Sequence, residues 1–184
     1  MQLWSRVLAA LPQSRMLIGA MSDARSQERI RAVFGAAGVA ASRVVFHPRM
    51  PMQDYLALHH QVDILLDSHP YPGGTTTNHG LMMGVPTNAR VSDSVVSWQG
   101  AATLLRLGLT QWVAHDDDEY VRLAHQWATD LPALASLRAG MRQRIDDNPL
   151  RQPRVVAAGM QAAFREMWTR WCAGRPVEAF TVTL

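Results

Sequence analysis

Between Asp67 and Pro86 the chain reads Asp-Ser-His-Pro-Tyr-Pro-Gly-Gly-Thr-Thr-Thr-Asn-His-Gly-Leu-Met-Met-Gly-Val-Pro, a strand end, a glycine turn and the first turns of a helix. Gly73 and Gly74 let the backbone approach an anion closely. The amides of Thr75, Thr76 and Thr77 fall at a helix N-terminus, where they have no partner four residues back and where the helix dipole favours negative charge. The threonine hydroxyls add neutral donors. Such a turn can hold a diphosphate. The same residues at a strand-to-helix turn also serve to cap the helix, and spacing alone leaves both readings open.

Other chemistry-bearing residues carry less. His79 is either part of the same site or a surface histidine on the helix, and His69, ahead of a proline, shapes the turn. His59 and His60 have no second ligand pair at helical spacing, so no metal is expected there. Asp116-Asp-Asp-Glu119 has the composition of a metal cluster, but acidic residues in a first helical turn complement the dipole, and a cap is the expectation. Ser97 lacks a Gly-x-Ser-x-Gly elbow and is no nucleophile candidate. Phe164, Met167, Trp168 and Trp171 read as a packed helix face.

The elements that must position the turn alternate. Gln2 to Leu11 reads as a helix ended by Pro12, followed by a short strand at Met16-Leu-Ile-Gly. Ser22 caps a helix running to about Gly38, then Val44-Val-Phe-His is a second strand. Gln53 to His60 is a short helix and Val62 to Leu66 a third strand. The turn opens a helix ending near Gly84. Thr87 to Val91 forms a strand interrupted by Asn88 and Arg90, Ser97 to Leu107 a helix, and Gln111 to Ala114 a strand. Helices over Asp116–Asp130, Pro132–Asp147 and Arg154–Trp171 complete the chain. Strands alternating with helices predict right-handed crossovers and a parallel α/β sheet of about five strands, covered on both faces. Ligands of such sheets bind at the carboxyl ends of the strands. Residues 1–174 are expected to form one domain, with 175–184 as a loose tail.

Composition narrows the field. At 184 residues and 48% apolar content the chain supports one domain with a sizeable core. No apolar run is long enough to span a membrane, and Met1-Gln-Leu-Trp-Ser-Arg has no signal-peptide pattern. The single Cys172 excludes an intrachain disulfide. A cytoplasmic protein is the expectation. All 18 basic residues are arginine and none is lysine, so Schiff-base chemistry and a lysine phosphate clamp are excluded within this chain. The arginines are scattered without interleaved aromatics, which argues against nucleic acid.

Several separated motifs occur in a recognisable order: Ile64-Leu-Leu-Asp-Ser-His-Pro-Tyr-Pro-Gly-Gly-Thr-Thr-Thr, Leu81-Met-Met-Gly-Val-Pro, Ser97-Trp-Gln-Gly-Ala-Ala-Thr-Leu-Leu, Arg43-Val-Val-Phe-His-Pro, and Asn148-Pro-Leu through Phe164-Arg-Glu-Met-Trp. Together with Met1-Gln-Leu-Trp-Ser-Arg-Val-Leu-Ala-Ala-Leu-Pro, they resemble the donor-binding half of the O-GlcNAc transferase and SPINDLY-like glycosyltransferases, including the bacterial tetratricopeptide-linked type. The resemblance implies a Rossmann-like C-terminal lobe of a GT-B enzyme, using UDP-GlcNAc or a related UDP-hexose and inverting at the anomeric carbon while it glycosylates a protein. It implies no cofactor beyond the UDP-sugar donor. It also implies partners outside this chain: a protein acceptor, an N-terminal catalytic lobe and helical repeats. By resemblance the loop at Met50 and Pro51 reads uracil through its backbone, Tyr55 lies near the base, and Gly73, Gly74 and Thr75–Thr77 hold the diphosphate. Where the family has a histidine before its paired threonines this chain has Gly74, and where it commonly has an aspartate on the next helix this chain has His79. A second reading is a truncated, non-catalytic nucleotide-binding or interaction domain.

Overall fold

The computed structural model describes residues 1–182, the side chain of Leu150 aside. Two compact units divide it, Met1–Arg142 and Gln143 onward.

The first unit is built of parallel strands joined by helices. In order it contains α1 (Gln2–Ala10), β1 (Met16–Ile18), α2 (Ala24–Ala36), β2 (Val44–Phe46), α3 (Met52–Leu58), β3 (Leu65–Leu66), α4 (Thr75–Met82), β4 (Thr87–Arg90), α5 (Trp98–Arg106), β5 (Val113–Ala114), α6 (Asp117–Thr129) and the start of α7 (Leu131–Asp146). All pairings are parallel, with Met16 opposite Val44, Leu65 opposite Thr87 and Ala89 opposite Val113. This is the Rossmann-like α/β arrangement that the alternation of elements predicts. The strands form two hydrogen-bonded pieces, β1-β2 and β3-β4-β5, rather than one continuous sheet.

Local chemistry explains the boundaries. Leu11 closes α1, and Arg43 reaches back to satisfy the helix end, donating to the carbonyls of Leu8 (2.8 Å), Leu11 (2.6 Å) and Ser14 (2.8 Å). The cap of α2 is Asp23 rather than Ser22: its carboxylate accepts the Ser26 N–H at 2.7 Å. A carboxylate at the N-terminus gains from the dipole as well as the hydrogen bond, which a serine hydroxyl one residue earlier does not. Asp116 caps α6 by accepting from the Glu119 N–H (2.7 Å), and Glu119 in turn accepts from the His115 N–H (2.9 Å). The return bond reaches the residue before the cap rather than the cap itself, so the pair is a capping-box variant displaced by one residue. Asp117 and Asp118 pair with Arg90 and Arg6, and among the described residues no group of three or more His, Cys, Asp or Glu is placed to hold a metal ion.

β4 is the middle strand of its piece despite the two polar residues that interrupt its pattern. Asn88 is fully buried, its Nδ2 donating to the Tyr120 carbonyl at 2.9 Å while its Oδ1 has no hydrogen-bond partner within the chain, and Arg90 lies at the strand's end. Two apolar clusters flank the strands. One joins Leu8, Met16, Ile18, Ile30, Phe34, Val39 and Val44; the other joins Val7, Ala114, Tyr120, Leu123 and Ala124. Trp4 and Leu66 pack against both.

The second unit contains the end of α7, α8 (Pro153–Cys172) and an extension through residue 182 that forms neither helix nor strand. α8 starts with Pro153 at its first turn, where a missing N–H costs nothing. Phe164, Trp168 and Trp171 do form one stripe, but the stripe is exposed, Trp168 by 67% and Trp171 by 76%. The helical period predicted which residues share a face and did not determine whether that face is covered. No described helix is long and apolar enough to cross a membrane.

Candidate functional site

The carboxyl end of β3 delivers the chain directly into the glycine turn. Asp67, the first residue after β3, is held from several directions. Its N–H donates to the Asn88 carbonyl (3.0 Å), and its own carbonyl accepts from the Tyr120 hydroxyl (2.9 Å) and the Trp4 indole N–H (3.2 Å). Its carboxylate then bends the turn: Oδ1 accepts from the N–H of Ser68 (3.0 Å) and from the N–H of Gly73 (2.6 Å). A carboxylate that pulls in an amide six residues ahead fixes where Gly73 and Gly74 lie. Asp67 was legible only as part of a Leu-Asp motif, and the signal that could have found it is an acidic residue at a strand end, six positions before a glycine pair.

The residues of the turn come together as their spacing suggests. Gly74 caps α4, and the first bond inside the helix runs from the Asn78 N–H to the Gly74 carbonyl (3.1 Å). The amides of Thr75, Thr76 and Thr77 therefore precede the helical ladder. Thr75 and Thr76 are exposed, whereas Thr77 is buried with its hydroxyl turned inward. A side chain at position 73 has no room: a Cβ there would lie 2.5 Å from Thr76 Oγ1 and 2.8 Å from Thr77 Oγ1. Position 74 is crowded differently, because a Cβ would lie 2.5 Å from Nε2 of Gln99, an exposed residue of α5. The Gln99 carboxamide thus occupies the space beside the turn that a larger residue at 74 would claim. Sequence reasoning gave Gln99 no role, since only the packing of α5 against the turn brings it there. Gly100, next to it, is buried against Oδ2 of Asp67.

α3 places the remaining candidates. Pro51 precedes α3, and its carbonyl accepts the Tyr55 N–H at 3.0 Å; Met50, half-buried, ends the loop after β2. One turn into α3, the Tyr55 ring meets His79 of α4 edge to face, with centroids 5.7 Å apart, and meets His59 at 4.9 Å. Burial pushes the Tyr55 phenol up from its ordinary value, so it remains a neutral donor. His79 is half-buried, and its Nδ1 is buried without a hydrogen-bond partner within the chain. Two side chains 24 positions apart in sequence thus share one surface beside the turn.

A fixed cation lies on the other side. Arg90, at the carboxyl end of β4, is ion-paired with Asp117 at 2.6 Å and donates to Nε2 of His69. Partial burial, with the Arg90 charge adding to it, holds His69 below its ordinary value, which keeps the ring neutral and able to accept.

Burial pushes the Asp67 carboxyl up from its ordinary value near 3.8 to about 6, the two backbone N–H donors opposing the shift. Its pKa is therefore higher folded than unfolded. The stability linked to this group is complete below about pH 4 and is lost as pH rises through about 6. At about 1.4 kcal/mol per unit the two-unit shift amounts to about 3 kcal/mol. Urea unfolding of wild type and Asp67→Asn between pH 4 and pH 7 checks this: the variant should gain on wild type by that order as pH rises, and parallel curves would contradict it.

The model of "Glycosyl transferase family 41" matches residues 1–160. The chain is 32% identical over 177 residues to the "Probable UDP-N-acetylglucosamine--peptide N-acetylglucosaminyltransferase SPINDLY" of Arabidopsis thaliana, a match covering 95% of this chain and 19% of that protein. It is 25% identical to the "UDP-N-acetylglucosamine--peptide N-acetylglucosaminyltransferase" of Caenorhabditis elegans, covering 98% of this chain and 16% of that one. The chain thus spans about a fifth of the length of these relatives. Its structure resembles that of a mutant O-GlcNAc transferase of Thermobaculum terrenum with a TM-score of 0.87 and 30% identity, over 94% of this chain and 34% of that one. The Rossmann-like fold is accordingly that of a lobe of a GT-B glycosyltransferase. On its sequence as on its fold, the chain belongs to glycosyl transferase family 41.

Proposed function

We propose that residues 1–174 are the donor-binding lobe of an inverting protein glycosyltransferase that takes its sugar from UDP-GlcNAc or a related UDP-hexose. The observation that carries this reading is the turn after β3. There the Asp67 carboxylate pins Gly73, and the free amides of Thr75–Thr77 open α4 at the carboxyl ends of parallel strands. In this reading those amides and the exposed Thr75 and Thr76 hydroxyls bind the diphosphate, and the Gln99 carboxamide serves beside Gly74 as a further neutral donor. The Met50–Pro51 backbone reads the uracil, Tyr55 packs against it, and the unpartnered Nδ1 of His79 meets a ribose hydroxyl. The acceptor is a protein, as the names of the relatives suggest, and the acceptor side of the cleft comes from polypeptide outside these residues.

Negative charge that develops on the leaving diphosphate would be met by fixed amide dipoles that need no reorganisation. Isothermal titration with UDP, UDP-GlcNAc and UMP tests the assignment. UDP should bind more tightly than UMP, and the double variant Thr75→Val with Thr76→Val should weaken UDP by about 1–3 kcal/mol, the cost of losing hydrogen bonds to a charged group. Equal affinity for UMP and UDP would reduce the turn to a plain helix cap.

A further inference from the structure

The carboxyl group of Asp67 has one oxygen that nothing answers. Oδ1 accepts from the Ser68 and Gly73 amides, whereas Oδ2 is buried and has no hydrogen-bond partner within the chain. A buried carboxylate needs a cation or further donors to offset its lost hydration. The elements packed around Asp67 supply neither. α1 brings the Trp4 indole, β4 the backbone of Asn88, α4 the Thr77 hydroxyl and α5 the Cα of Gly100. α6 brings the Tyr120 phenol, which burial keeps protonated. Within the turn, His69 is held neutral, and the ring of His79 on α4 lies against Tyr55. Arg90 and Asp117 pair with each other, and among the described residues no cation is paired with Asp67.

An acceptor lies beside the unpartnered oxygen. A Cβ on Gly100 would lie 2.4 Å from Oδ2 and 3.2 Å from the Gly73 carbonyl oxygen, so both atoms border the same methylene. That carbonyl accepts no hydrogen bond among the described residues. A carboxylate repels it. In a carboxylic acid, Oδ1 still accepts the Gly73 N–H while an Oδ2 hydroxyl can donate to the Gly73 carbonyl, so one side chain grips both backbone groups of the residue. We propose that Asp67 is a proton-linked positioning residue: when a diphosphate binds at the Thr75–Thr77 amides, Oδ2 takes up a proton from solvent and closes on Gly73. The proposal deepens the donor-site reading of the turn and rests on it.

The charges set the direction. A nucleotide sugar brings two negative charges to amides only a few residues beyond Gly73, in a turn whose buried carboxyl has no counter-cation. Like charge in one site raises a carboxyl pKa. Burial already pushes Asp67 up to about 6 in the free chain, and the bound donor carries it higher. Donor affinity is therefore greatest below about pH 6 and falls as pH rises through the higher value of the complex.

The test is isothermal titration of the whole chain with UDP-GlcNAc, whose diphosphate has no proton to lose between pH 5.5 and pH 8. For a rise of about one unit on binding, affinity should be about sevenfold higher at pH 5.5 than at pH 8. Titration at pH 6.5 in buffers of different ionisation enthalpy should show about half a proton taken up per donor. In Asp67→Asn the side-chain amide stands in for the acid, accepting from the Gly73 N–H and donating to its carbonyl. Its affinity should be flat across this range and, at pH 8, close to that of the wild type at pH 5.5. Flat wild-type affinity, or proton release, would overturn the proposal and leave the donor site standing. A dependence on pH that persists in Asp67→Asn would assign it to His69 or His79 and would also overturn it. No binding by either protein at any pH would remove the donor-site reading and this proposal with it.

Discussion

Gly100→Ala should abolish measurable UDP binding at concentrations that saturate the parent chain. A Cβ at position 100 would lie 2.4 Å from Asp67 Oδ2 and 3.2 Å from the Gly73 carbonyl. Neither neighbour can retreat cheaply: the carboxylate is held by the Ser68 and Gly73 amides, and the carbonyl belongs to the turn itself. Either α5 shifts outward or the turn opens. Overpacking of this kind costs about 1–3 kcal/mol of stability, which thermal unfolding would read. Gly80→Ala is the instructive comparison, because its Cβ would also collide, at 2.1 Å, but with the Cδ1 tip of Leu65. A leucine tip can rotate where a pinned carboxylate cannot, so Gly80→Ala should lose stability and retain UDP affinity within a few-fold. Unchanged UDP binding in Gly100→Ala would mean that the geometry around Asp67 does not govern the site.

The second large effect is on turnover. The purified 184-residue chain should bind UDP weakly and transfer no sugar to a protein or peptide. A transferase of this class closes its cleft from two lobes, and this chain spans about a fifth of the length of its relatives. It has no lysine to neutralise a diphosphate and has Gly74 where the resemblance implies a histidine donor. Loss of one charge-stabilising donor costs on the order of 10² to 10³ in rate, and such losses act together here. Intact-mass spectrometry of an acceptor peptide incubated with the chain and UDP-GlcNAc should therefore record no added hexosamine, and adding an acceptor lobe, as a fused relative, should be required for any. Transfer by the chain alone would show that one lobe suffices.

What was legible in the sequence was local. The order of helices and strands, the opening of α4 at Thr75, the cap at Asp116 and the stripe of Phe164, Trp168 and Trp171 follow from hydrogen bonds and periodicities within a few residues of each other, where chain connectivity has already set the geometry. The motifs around the turn were also local, and they carried the family. Even here a local competition was misjudged at Ser22, because two capping residues stand side by side and the carboxylate of Asp23 wins by its charge.

Tertiary structure decided everything that depends on distant segments meeting. Asp67 became the organiser of the turn because Trp4, Asn88 and Tyr120, far apart in the chain, all bond its backbone and leave its carboxylate only Ser68 and Gly73 to engage. Tyr55 met His79, Gln99 came to stand over Gly74, and the Asn88 amide N–H found the Tyr120 carbonyl in the middle of a strand piece. The separation of β1 from β3 is of the same kind: hydrophobic runs specify that each is a strand, but not which neighbour it bonds. Strand pairing depends on the path of the crossovers and on the backbone groups each edge still has to satisfy.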